Sequence, residues 1–278
     1  MGVYDFIAKK FRQLIYPCLV WGGILWIVLE CANSFHYGNP QFSFVGLLTD
    51  YYWLSDFWFL KSCFICYLLA YAGVRSGLSR KYWAILTLVI SQVISPFFVS
   101  FMYPCFLLGM ELRQNSVLMK KVLSGQYVLS ALFLVMLAFW SRDVWNQSLG
   151  LPPGLMHAET SVWAVTIYSR LFRLLIGIVG GLSVIPVFMN LFKTVSSHSL
   201  VRTCCDWGKY TLEVYILQSL VLEKSLGHYI SLDDMHPFLF NCVVTPIASC
   251  AVLVCCILII KQIYKWGFLG KMLFGSAK

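Results

Sequence analysis

Apolar residues along this chain run in long blocks instead of alternating with polar ones. Each block approaches the roughly 20 residues that a helix needs to cross about 30 Å of hydrocarbon. Six blocks occupy residues 14–31, 53–74, 126–141, 167–192, 210–227 and 238–261. A seventh, 83–112, is too long for one crossing and carries Pro96 and Pro104 with polar Ser95 and Ser100 close by. It reads as two short, tilted helices turning near 97–101. The pattern predicts an all-α fold: a polytopic integral membrane helix bundle of about eight transmembrane helices. Nothing in it has the period-two alternation of a membrane barrel.

The charged positions between the blocks orient the bundle. With the N-terminus cytoplasmic, sixteen of the 21 basic residues fall in inner loops, from Lys9, Lys10 and Arg12 to Lys261, Lys265, Lys271 and Lys278. Acidic residues such as Glu30, Asp50, Asp143, Glu159, Asp233 and Asp234 fall outside. Reading 83–112 as one crossing would reverse every later loop, so the positive-inside rule predicts eight crossings with both termini cytoplasmic.

Composition agrees. Of 278 residues 59% are hydrophobic and only 12% charged, against roughly 25% charged in a soluble domain. Aromatic residues make up 17%, suited to rings at headgroup depth. The net charge of +9 is explained by the inner loops, so no nucleic-acid partner is expected. Most of the eleven cysteines lie inside apolar runs, where Cys is a small hydrophobe. Cys63-Phe-Ile-Cys66 therefore reads as packing and no metal site is expected. No internal repeat, low-complexity linker or cleavable leader is visible, and residues 142–160 read as an ordered loop.

A few polar residues stand where the membrane makes them costly. Lys61 lies inside the block 53–74, and a Lys at helix centre costs about 2.5–3.5 kcal/mol on insertion scales. It either snorkels outward or faces an internal polar cavity. Arg170 and Arg173 share one helix face, either as part of a helix lying along the interface or as a clamp for an anionic group. Lys9 and Arg12 are likewise three apart, just before Tyr16-Pro17. They either anchor the first crossing or form a cation pair for phosphate. The five histidines, His36, His157, His198, His228 and His236, fall in or beside loops. There is no zinc-protease, nucleophile-elbow or phosphate-loop signature. Gly177-Ile-Val-Gly-Gly181 reads as close helix packing.

Taken in order, several stretches resemble the acyltransferase 3 family of membrane O-acyltransferases. They are Phe6-Ile-Ala-Lys-Lys-Phe-Arg-Gln-Leu-Ile-Tyr-Pro-Cys-Leu-Val-Trp21, Trp58-Phe-Leu-Lys61, Tyr103-Pro-Cys-Phe-Leu-Leu-Gly109, Gly208-Lys-Tyr-Thr-Leu-Glu-Val-Tyr-Ile-Leu-Gln218 and Phe268-Leu-Gly-Lys-Met-Leu-Phe-Gly275. The resemblance implies a single acyltransferase 3-like domain over residues 1–278 in a bacterial inner membrane. It implies transfer of an acyl group, typically acetyl from acetyl-CoA, onto a hydroxyl of a carbohydrate such as a cell-envelope polysaccharide. No cofactor is implied beyond the acyl-CoA donor substrate. Membrane lipid, acyl-CoA, a carbohydrate acceptor and glycan-assembly proteins are the partners it suggests. Lys9 and Arg12 match the basic motif associated with the CoA end, and Trp58, Lys61, Gly109 and Tyr215 would line or shape the core.

Two departures stand out. Complete members begin with two further spans, the first carrying a basic residue eleven positions before the histidine regarded as catalytic. Eleven residues before the histidines here stand Leu25, Asn146, Val187, Leu217 and Ser225. Gln218 also occupies the place where many relatives have His. The expectation is an N-terminally incomplete, truncated domain that lacks the family histidine and is inactive alone. The alternatives are a non-catalytic membrane partner or a transporter of a glycan precursor.

Overall fold

The computed structural model describes residues 2–37, 45, 48, 57–93, 98–139, 160–195, 199–219 and 243–275. All of the expected loop at 142–160 except Thr160, residues 220–227 of the block 210–227, and residues 228–242 lie outside the described residues. Every regular element among the described residues is helical. The chain divides into two compact units, Met1–Phe64 with Arg202–Lys278, and Ile65–Val201.

In the first unit, α1 (Val3–Lys10) runs through a π-helical turn (Phe11–Ile15) into α2 (Tyr16–Tyr37). Pro17 accounts for that widened turn. It has no N–H to donate to Gln13 and its ring crowds the preceding turn, and the Tyr16 N–H bonds the carbonyl of Phe11, five residues back. The start of α3 (Trp58–Arg75) joins this unit, as do α9 (Ser199–Gly208) from Arg202 on, α10 (Thr211–Gln218), α11 (Thr245–Lys265) and α12 (Gly267–Phe274). Aromatic contacts tie them together. Phe11 meets Phe64 edge-on at 6.4 Å, Phe59 meets Tyr215 at 5.3 Å, and Phe274 lies against both Trp21 at 5.9 Å and Tyr264 at 5.8 Å.

The second unit holds α4 (Arg80–Val93), α5 (Val99–Gln114), α6 (Ser116–Ser124), α7 (Gln126–Ala138) and α8 (Thr160–Val195). Residues 83–112 divide into two helices as expected, but α5 begins directly after Phe98, whose φ is 55°, so residues 99–101 of the expected turn at 97–101 are already helical. The two helices pack together, with the Tyr103 hydroxyl donating to Thr87 Oγ1 at 2.8 Å. Cys66, Val99 and Tyr103 form the buried core beneath them. Two of the three glycines in the run pack closely, Gly180 against Phe133 of α7 and Gly177 against Phe101 of α5, whereas a Cβ at Gly181 would meet nothing within 4 Å. Such close approach gives dispersion contacts, which matter where lipid tails remove the hydrophobic drive between helices.

Three helical stretches are long and apolar enough to cross a membrane: Val3–Val28, Leu171–Thr194 and Thr245–Lys265. The pair α6 and α7, bent by 67° at Gly125, makes up to four among the described residues. This falls short of the expected eight crossings. Helices α4 and α5, at 14 and 16 residues, are each shorter than the hydrocarbon thickness requires. Helix α3 carries Lys61 and Arg75 within 18 residues, and α10 is described only to Gln218. Leu171, Leu175, Val184, Val187 and Phe188 of α8 are exposed, a face suited to hydrocarbon.

Candidate functional site

A polar groove lies at the N-terminal end of the first unit. A groove of about 360 Å³ is lined by Tyr4, Asp5, Lys9, Arg12, Gln13 and Gly275. Lys9 and Arg12 are exposed, and Gln13 is half-buried. The Asp5 carboxylate accepts from the Gly2 N–H at 3.3 Å, capping α1. With that carboxylate at the helix start, the cation pair is the part of the groove suited to an anion.

The far wall of the groove comes from the other end of the sequence. Gly275 follows α12 with a φ of 68°, and a Cβ there would overlap the Arg12 carbonyl oxygen and lie 3.1 Å from its carbon. Behind it, the Trp21 indole N–H donates to the Leu273 carbonyl at 3.0 Å. Phe274 is 2% exposed between Trp21 and Tyr264. Tyr264 in turn donates its hydroxyl to Glu213 Oε1 at 2.8 Å, and Glu213 is 3% exposed. A continuous packed path therefore links the cation groove to a buried carboxylate.

The remaining candidates divide between the units. Lys61 is 9% exposed beside fully buried Leu60 and Ser62, so its side chain is enclosed by the unit instead of lying along its surface. Trp58 is half-buried and edge-on to Phe59 at 6.1 Å, and Tyr215 is half-buried against Phe59. Gln218 is exposed at the end of α10. Gly109 does not shape a core: it is exposed in α5, and a Cβ there meets nothing within 4 Å. Arg173 is half-buried on α8, while the side chain of Arg170 lies outside the described residues, as do those of all five histidines. Gly109, Arg170 and Arg173 belong to the second unit, the others to the first.

Sequence reasoning did not single out Glu213, Tyr264, Gln13 or Gly275 as site residues. Glu213 had a readable signal, an acid inside an apolar helical run, which the membrane makes expensive. The others carry none, because their roles arise only from packing.

Apolar helices of crossing length among the described residues mark a helical integral membrane protein. The chain belongs to the acyltransferase 3 family: that family's model, the acyltransferase domain, matches residues 1–261. No curated protein and no solved structure matches the chain.

Proposed function

We propose that the protein is a membrane O-acyltransferase that takes an acyl group, acetyl in the simplest case, from acyl-CoA at the cytoplasmic face. Its acceptor is a carbohydrate hydroxyl of the cell envelope, and its location is a bacterial inner membrane. The observation that carries this reading is the groove pairing Lys9 with Arg12 in a family of acyltransferases. The CoA portion of the donor carries phosphates, which two neighbouring cations on one helical face can hold. The positive-inside distribution supports the cytoplasmic placement of both termini and a bundle of up to eight crossings.

Donor binding is the first test, since it does not depend on the family histidine. Coenzyme A binding to the purified chain should weaken about tenfold in Lys9→Gln or Arg12→Gln, the scale of one charge-assisted hydrogen bond. Unchanged affinity in both would remove the groove as donor site. Label passing from acetyl-CoA to an envelope glycan supports the enzyme. CoA binding without any transfer points to a non-catalytic partner. Passage of unmodified glycan precursor into vesicles points to transport.

A further inference from the structure

The π-helical turn leaves the Arg12 carbonyl in an unusual position. Its α-helical donor would be the Tyr16 N–H, which bonds Phe11 instead. Its donor in the wider register would be residue 17, a proline with no N–H. Gly275 meets this carbonyl, and the Cα hydrogen that replaces a Cβ points at the Arg12 oxygen, as in a weak Cα–H···O contact. Both a positive φ and the absence of a side chain are required there, so glycine alone satisfies the position.

The C-terminal helix is also firmly held. The Leu273 carbonyl accepts from Trp21, Phe274 is buried between Trp21 and Tyr264, and Gly270 lies directly on the Tyr264 ring. These contacts fix where Gly275 sits, and Gly275 lines the same groove as Lys9 and Arg12. This wall of the groove is thus built by the end of α12.

We propose that Gly275 is a positioning residue for the donor site: the C-terminal helix braces the Arg12 turn through it and so aims the Lys9–Arg12 pair at the donor's phosphate groups. The proposal rests on the groove being the donor site. Gly275 acts through Arg12 and need not touch the donor.

The test is a double-mutant cycle read by coenzyme A affinity of the purified full chain. Gly275→Ala should weaken binding about tenfold in the wild-type background but less than about twofold in Arg12→Gln, because neighbours acting through one group do not add. Gly77→Ala is the control: Gly77 shares the φ of 68° yet has nothing within 4 Å of a Cβ, and its substitution should leave affinity unchanged. If Gly275→Ala does not yield folded protein, Trp21→Phe releases the same helix more gently and should weaken binding by a smaller factor, again only when Arg12 is present.

The outcomes separate. If Arg12→Gln and Lys9→Gln have no effect, the donor-site reading fails. If either weakens binding while Gly275→Ala and Trp21→Phe do not, or if their effects add to that of Arg12→Gln, the positioning role is overturned.

Discussion

Tyr264 donates its hydroxyl to the buried carboxylate of Glu213 at 2.8 Å, across 51 residues of sequence. This bond joins α10 to α11 close to the ring of Phe274, which carries the C-terminal helix. Removing the donor while keeping the Glu213 side chain buried leaves a buried acceptor without this partner. Tyr264→Phe should therefore destabilise the protein by about 1–3 kcal/mol. Glu213→Gln keeps an oxygen able to accept and should cost less. The check is unfolding in detergent, comparing the two variants; equal costs would show that the hydrogen bond is not what holds this pair.

The glycines of α3 and α5 should respond in opposite ways. At Gly73 a Cβ would run into the indole of Trp83, whereas at Gly109 it meets nothing within 4 Å. Gly73→Ala must displace a bulky ring and should cost about 1–3 kcal/mol. Gly109→Ala should stabilise by about 0.5–1 kcal/mol through helix propensity. Thermal midpoints of both variants test this. A destabilised Gly109→Ala would mean that its face is covered.

Asp206 and Lys209 pair at 2.6 Å on the surface, outside the apolar blocks. The hydrogen bond and charge of Lys209 hold the Asp206 carboxyl below its ordinary 3.8. The hydrogen bond and charge of Asp206 hold the Lys209 ammonium above 10.5. A depressed acid contributes above its unfolded value and loses that contribution as pH falls through its folded value. A raised base contributes below its unfolded value and loses that as pH rises through its folded one. The difference in thermal midpoint between wild type and Asp206→Asn should thus stay flat from about pH 5 to 9 and shrink below about 3.8 and above about 10.5. It should also shrink with salt, since both side chains are exposed.

Hydropathy and glycine spacing alone determined that this chain is helical with stretches apolar enough to cross a membrane, that residues 83–112 divide into two helices, although 99–101 of the expected turn are helical, and that Gly177 and Gly180, though not Gly181, pack closely. Each follows from transfer free energy or backbone sterics, which act residue by residue along the chain. The cation pair of Lys9 and Arg12 was also legible, because a spacing of three places both on one helical face. Tertiary structure decided what stands opposite that pair. Gly275 reaches the Arg12 carbonyl only because Pro17 widens one turn and Trp21 and Tyr264 hold a helix more than 240 residues away. Likewise, only packing shows that Glu213 has Tyr264 as a donor and that Gly109 faces open space. Periodicity reports which face of a helix is apolar and carries no information about which helix that face will meet.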